Sequence, residues 1–248
     1  MRSMRESLIL AYHSLDGSGS VISTTPLKFQ EQMQSLATSG ARVVGLDQVA
    51  LTPGSVAITF DDGYMNFFDH ALPVLTRFSF PATVFVVTAK GGGRNDWDQR
   101  GRPNPVLPLM DWPRIREAAA AGVTIGSHSH THAPLTAQNA HAEIQQSCRE
   151  IEDRLGVRPQ ALAYPYGEAD ASVRKIAAEH FEWACSIELD FVRAGVDRWW
   201  LPRVDSFYAP SNLPTLLTPA GRLYLGARRI LRNTRRNARR NTRAWLSR

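Results

Sequence analysis

Val56–Phe78, VAITFDDGYMNFFDHALPVLTRF, decides the fold class. Val56–Phe60 is a short apolar run with β-branched residues, which reads as a strand. Asp61-Asp62-Gly63 turns the chain, and Met65–Phe78 carries a helical pattern. The same order recurs along the sequence. Further strands are predicted at Leu8–Tyr12, Arg42–Leu46, Ala82–Val87, Val123–Ser127, Ala161–Tyr164 and Trp183–Ile187. Helical patterns lie between them at Pro26–Ser39, Trp112–Ala121, Ala137–Leu155 and Ala171–His180. The first follows Thr25, an N-cap, has proline at its first position and stops at Gly40. About seven alternations of strand and helix predict an α/β fold with a parallel sheet or barrel, not a sandwich.

The 248 residues are 43% hydrophobic and 9% aromatic, which excludes wholesale disorder. No apolar stretch approaches the ~18 residues of a transmembrane helix. Cys148 and Cys185 are too few for a disulfide framework or a Cys-rich zinc site, and read as buried thiols. The formal charge of +6 is unevenly placed. Residues 222–248 hold ten arginines and no acid, leaving 19 basic and 23 acidic residues in 1–221, a net of −4.

Two adjacent carboxylates at a strand's C-terminal end, Asp61 and Asp62, sit where α/β folds place their sites, although Asp-Gly is also a common turn pair. After the predicted strand Val123–Ser127 comes His128-Ser129-His130-Thr131-His132, three of the seven histidines. Imidazoles are suitable zinc ligands, and a carboxylate can supply a third. Tyr164-Pro165-Tyr166-Gly167 is a rigid loop after another strand. Gly91–Pro108 is the longest irregular stretch, either a site loop or a solvated insertion. Pro202–Pro219 has no clean period and is expected to wrap the body.

In combination, TFDDG, HSHTH and YPYG resemble the polysaccharide deacetylases (carbohydrate esterase family 4, the NodB-homology domain). The resemblance covers roughly Leu8 to Tyr208. It implies a single-domain distorted (β/α)7 barrel over residues 1–221, a divalent metal, most commonly zinc with cobalt or nickel as alternatives, and hydrolysis of N-acetyl groups on amino sugars. It also implies residue roles: Asp61 as general base, Asp62, His128 and His132 as metal ligands, and Tyr166 as the residue whose backbone N–H helps hold the oxyanion. His130 falls outside that ligand pattern and reads as a supporting residue.

Two departures from the pattern stand out. The residues just before the Pro165-Tyr166-Gly167 loop, Ala161-Leu162-Ala163-Tyr164, include no arginine, and no histidine follows His180. His13, at the end of the first predicted strand, resembles the acid histidine of the poly-N-acetylglucosamine deacetylase subgroup, which comes from an N-terminal strand. Arg203, in Leu201-Pro202-Arg203-Val204-Asp205, is the candidate to orient Asp61, with Asp205 doing the same for His13. Trp199, Trp200 and Leu201 are candidates for an apolar wall against the sugar and acetyl methyl, with Trp97 and Trp112 behind them.

Within 222–248, Leu223, Ala227, Ile230, Leu231, Thr234, Ala238, Trp245 and Leu246 recur mostly every three or four residues, with arginines on the other face. This basic amphipathic pattern suits an anionic membrane surface, while a solvated tail remains open. Nothing in the body supports nucleic-acid binding. The run Leu8–Tyr12 is shorter than a signal-peptide core, so a cytoplasmic protein, peripheral on the inner face of the cell membrane, is expected. The leading functional expectation is an N-deacetylase of a polysaccharide, oligosaccharide or lipid-linked glycan. A deformylase acting on a lipid-linked formamido sugar, a small-molecule amidase and a catalytically degenerate glycan-binding domain are the alternatives.

Overall fold

The computed structural model describes residues 6–97 and 104–246, except for the side chains of 233 and 235–246. In chain order the elements are β1 (Leu8–Tyr12), β2 (Ser14–Leu15), β3 (Ser23–Thr24), α1 (Pro26–Thr38), β4 (Val56–Phe60), α2 (Leu72–Phe78), β5 (Thr83–Val86), α3 (Trp112–Ala120), β6 (Thr124–Ser127), α4 (Ala140–Leu155), β7 (Ala161–Ala163), α5 (Ala171–His180), β8 (Trp183–Cys185), β9 (Val204–Asp205) and α6 (Pro219–Leu246). Side-chain caps start four of the helices, α6 among them through Thr218, which accepts from the Gly221 amide at 3.2 Å. Thr25 accepts from the Lys28 amide, Asp111 from that of Arg114 and Asp170 from that of Val173.

Seven strands form one parallel sheet in the order β8-β7-β6-β5-β4-β1-β9. Every residue of β1 and β4 is buried, as continuous apolar strands in a parallel sheet require. The sheet curls back on itself through a single segment. Leu201 makes a parallel bridge to Cys185 at the end of β8, while Val204 and Asp205 pair with Leu10 and Ala11 of β1. Residues 201–205 therefore close a distorted seven-stranded α/β barrel. All seven strands run the same way, so the loops after β1, β4, β6, β7 and β9 gather at one rim.

The predicted strand at Arg42–Leu46 is a correction. Only Val43 bridges to Val56, and Leu46–Gln48 is a 3-10 turn. The Val56 amide donates to Arg42 O and its carbonyl accepts from Val44, on the flank of β4 away from β1. β5 takes up β4 at Thr59, leaving little room for a longer strand there. The Pro202–Pro219 stretch also holds β9, a two-residue strand absent from the sequence reading.

The largest apolar cluster is bounded by helices α1, α2 and α3, and contains the aromatic group Tyr12, Phe29, Phe60 and Phe67. A 3-10 turn at Leu213–Leu217 leads into α6, which docks through the buried Leu225. The approach is close: a Cβ on Gly221 would lie 2.1 Å from Thr215 O. Both cysteines are buried free thiols, with burial pushing Cys148 up to about 11 and Cys185 up to about 12. Among the described residues, no helix is long and apolar enough to cross a membrane.

Candidate active site

The strand-end loops enclose a cleft of about 360 Å³, large enough for a sugar-sized group. His13, Asp61, Asp62, His128, His132 and Tyr166 all line it. Their backbones are constrained. Of the five non-glycine residues at positive φ among the described residues, four are Asp62, Ser129, His132 and Tyr166. Such conformations persist where the surrounding structure enforces them. At Gly167, φ is +64° and an added Cβ would meet Ile187 at 2.2 Å, so only glycine fits beside Tyr166.

Asp62, His128 and His132 converge. Nε2 of each histidine lies 3.4 Å from Asp62 Oδ1, and one donor atom from each of the three residues falls within 4.8 Å of the others. His128 Nδ1 lies 2.7 Å from Ala163 O. That carbonyl requires Nδ1–H, which in the neutral ring leaves the Nε2 lone pair facing the carboxylate. Asp62 Oδ1 is buried and accepts no hydrogen bond. Three electron-pair donors facing one another in a buried pocket fit a divalent cation, with two nitrogens and an oxygen as its donor set. Burial drives His132 down to about 3 and so keeps it in the neutral, metal-binding form. Burial opposes charge on His128 too, but the adjacent Asp61 and Asp62 carboxylates and the Ala163 carbonyl outweigh it, and the pKa lies above the ordinary value. The His132 ring is sandwiched by Trp97, stacked at 4.5 Å, and by the edge of Tyr166 at 4.8 Å.

The loop between the histidines is held by a residue that no motif flags. Glu143, in the first turn of α4, accepts hydrogen bonds from the amides of His130 and Thr131 at 3.0 and 2.8 Å and from Thr131 Oγ1 at 2.6 Å. His130 Nδ1 lies 2.9 Å from Thr88 Oγ1, outside the ligand set.

Asp61 is served by different partners. Arg203, only 1% exposed, clasps it with two parallel bonds, Nη1 to Oδ1 at 2.7 Å and Nη2 to Oδ2 at 2.8 Å. The guanidinium is itself anchored by Nε to Ser186 O at 2.9 Å and Nη1 to Thr59 Oγ1 at 3.2 Å. Burial alone would raise the Asp61 pKa, but the Arg203 charge overrides it and holds the carboxyl well below its usual range. His13 Nε2 stands 3.7 Å from Asp61 Oδ2, on the cleft side. Each carboxylate oxygen has two acceptor sites, so pairing with Arg203 leaves one on Oδ2.

Asp205 does not orient His13. The His13 Nδ1 atom is buried with no hydrogen-bond partner, and Asp205 Oδ1 instead accepts from the Phe207 amide at 2.8 Å. Asp205 ends β9 and the chain turns immediately, which commits its carboxylate to the turn. The expected aromatic wall is corrected as well. Trp199 and Trp200 donate to Phe181 O and Glu188 Oε2 and do not line the cleft, packing instead behind Tyr164, which does, while Leu201 is fully buried in the barrel closure. Trp112 packs beneath Gly91 and under Arg154. Among the described residues, the tryptophan that lines the cleft is Trp97. It comes from the Gly91–Pro108 stretch, whose described ends are pinned to the body by Asn95 to Tyr64 and Ser20 to Asn104, each at 2.9 Å. Residues 98–103 of that stretch lie outside the described residues.

Residues 48–180 match the polysaccharide deacetylase family, and the chain belongs to it. The matched region holds Asp61, Asp62, His128, His132 and Tyr166; His13 and Arg203 fall on either side of it. The chain is 25% identical over 202 residues to the poly-β-1,6-N-acetyl-D-glucosamine N-deacetylase of Staphylococcus epidermidis, covering 73% of this chain and 67% of that protein. It is 25% identical over 180 residues to YxkH of Bacillus subtilis, 68% of this chain and 60% of that protein, and so spans under two thirds of YxkH. In fold it is similar to IcaB from Ammonifex degensii, with a TM-score of 0.74, 22% identity and coverage of 86% of this chain and 96% of that one.

Proposed function

We propose that the cleft hydrolyses the N-acetyl group of an amino sugar in a glycan, with a divalent cation held by Asp62, His128 and His132. The observation that carries this reading is the division of labour between two adjacent carboxylates. Asp62 faces two histidines, while Asp61 faces Arg203 and His13. Family membership and the similarity to a poly-β-1,6-N-acetyl-D-glucosamine N-deacetylase support an N-acetylated glycan as the substrate. The mixed nitrogen and oxygen donor set suits zinc, with cobalt or nickel as substitutes.

A bound cation would supply Lewis-acid polarisation of the amide carbonyl. This chain's residues do the rest. Asp61, kept ionised by Arg203, takes a proton from the attacking water through its Oδ2 side. His13, next to that oxygen, delivers a proton to the leaving amine. Tyr166, in the loop fixed by Gly167, directs its main-chain N–H toward the developing oxyanion. Trp97 closes the cleft beside His132 and covers the apolar face of the sugar.

The test is acetate release from N-acetylglucosamine oligomers by the full chain, with zinc or cobalt added. Turnover that disappears on chelation and in Asp61→Asn is expected. Oligomers that bind but are not hydrolysed with any metal would overturn the reading in favour of a glycan-binding domain. Formate release from a formamido sugar, without acetate release, would redirect it to deformylation.

A further inference from the structure

The α6 helix presents two unlike faces, and only one of them is used by the body. Leu225 is buried, Arg229 pairs with Asp190, and Arg222 Nε lies 3.6 Å from Glu6 Oε2. At 3.6 residues per turn these three residues share one side of the helix. Leu223, Ala227, Ile230 and Leu231 fall on the opposite side, where Leu223 is 77%, Ile230 67% and Leu231 55% exposed. Ala238, Trp245 and Leu246, also in the sequence stripe, have side chains outside the described residues. A soluble helix normally buries its apolar stripe; this one docks with its mixed face and leaves the apolar stripe outside.

The stripe is next to the mouth of the cleft. Tyr224 borders the stripe, whereas Arg232 falls about 20° from Leu225, on the docked side. Tyr224 donates from its hydroxyl to Tyr208 O at 3.0 Å, and Arg232 lines the cleft together with Phe207 and Val21. Phe207 is 51% exposed although it belongs to the cleft wall. Among the described residues, the Arg232 side chain has no acidic partner. The cleft entrance thus carries apolar residues and an unpaired cation, continuous with a helix rich in both.

We propose that the outer face of α6 and the adjoining cleft rim dock on the surface of an anionic lipid bilayer, so that the cleft opens at the headgroup layer onto a membrane-tethered glycan. The glycan half of this statement rests on the reading given under Proposed function; the docking half does not. Charge complementarity selects the occupant. Residues 222–248 contain ten arginines and no acid. A second copy seated on the stripe would bring two arginine-rich, acid-free segments together, which like charges disfavour. An anionic bilayer meets the arginines with phosphate and accepts the leucine and isoleucine side chains among its acyl chains.

The test uses the full chain and vesicles of phosphatidylcholine with and without phosphatidylglycerol. Co-sedimentation with the anionic vesicles only, weakened by salt, is expected. Leu223→Ser/Ile230→Ser/Leu231→Ser should weaken it at least about tenfold, and Arg228→Glu, which leaves the stripe intact, by several-fold. Both variants should hydrolyse a soluble N-acetylglucosamine oligomer at the wild-type rate. Equal vesicle binding by wild type and the triple variant would overturn the proposal. So would binding to neither vesicle, or a lipid-free dimer that the triple variant dissociates. Lack of oligomer hydrolysis with docking intact would count against the deacetylase reading and leave the docking surface standing.

Discussion

Arg203 and Asp61 are 142 residues apart in sequence and form a two-pronged buried ion pair, at 2.7 and 2.8 Å, across the point where the barrel closes. Arg203 lies between Leu201, which bridges to β8, and Val204, which pairs with β1. Closing the barrel and aligning the candidate base are therefore one event. A strand of two residues would be a weak closure by itself. The guanidinium adds two charge-assisted bonds to Asp61, one to Ser186 O and one to Thr59 Oγ1.

Removing one partner should cost more than removing both. Arg203→Met leaves a buried carboxylate uncompensated, a loss of about 3–5 kcal/mol. Asp61→Asn/Arg203→Met should recover part of that loss in urea unfolding. The pH dependence has a definite sign. The folded-state pKa of Asp61 is depressed, so the pair's contribution is full above the unfolded value of about 4 and is lost as pH falls toward the folded one. The stability gap between wild type and Arg203→Met should therefore be widest near neutrality and narrow below about pH 4. A gap independent of pH would show that Arg203 acts by packing alone. In kcat/KM the acid limb of Arg203→Met should move to higher pH, because Asp61 then loses the charge that keeps it ionised.

His13 should separate chemistry from metal binding. Its Nε2 is 3.7 Å from Asp61 Oδ2, and it is absent from the three-residue donor set. His13→Gln should lower kcat by about a hundredfold or more, the usual scale for a proton-transfer group. Metal content and melting temperature should stay near wild type. Loss of metal in His13→Gln would place this residue among the ligands instead.

Much of this architecture was legible in local sequence, and the exceptions share a cause. β1, β4, β5, β7 and β8 are largely apolar runs because a parallel strand inside a barrel is covered on both faces, whereas β6 has Ile125 as its one large apolar residue and exposes Thr124. The residues that follow them, His13, Asp61, His128 and Tyr166, reach one rim because all those strands run the same way. β9 has no such signature. It is two residues long, follows Pro202 and contains Asp205, and its pairing exists only once β1 and β8 are in place. Trp97 was subordinate to Trp199 and Trp200 in the sequence because nothing local distinguishes a tryptophan facing a cleft from one packed outside it. Val43 pairs for one residue, since β5 claims the rest of that flank.

Glu143 was invisible for the same reason, and it supports a sharper expectation. It sits 11 residues after His132 and binds the histidine loop with both carboxylate oxygens. Partners that hold ligand-bearing segments commonly tune metal affinity by about 10–100-fold. Glu143→Gln keeps one acceptor and should weaken zinc affinity by about tenfold, read by competition with a chromophoric chelator. Excess metal should restore kcat. A kcat loss that saturating metal cannot restore would mean that Glu143 shapes the substrate side of the cleft instead.

Trp97 and Trp200 should respond differently to truncation. Trp97 stacks on His132 at 4.5 Å and lines the cleft, whereas Trp200 packs with Tyr164 and donates to Glu188 outside it. Trp97→Ala removes an aromatic face from the cleft and a support from a metal-site ring, contacts worth about 0.5–1.5 kcal/mol beyond area burial. It should raise KM for oligomeric substrate by about three- to tenfold, with little change in melting temperature. Trp200→Ala should instead lower the melting temperature, because Arg174 and Tyr164 lose a packing partner, and should change KM less than Trp97→Ala, because Trp200 does not itself line the cleft. Steady-state kinetics and thermal unfolding of the two variants, measured side by side, decide the matter. If Trp200→Ala carried the larger KM effect, the sugar would have to lie along the Trp199–Trp200 face, outside the cleft that joins Asp61 and Asp62.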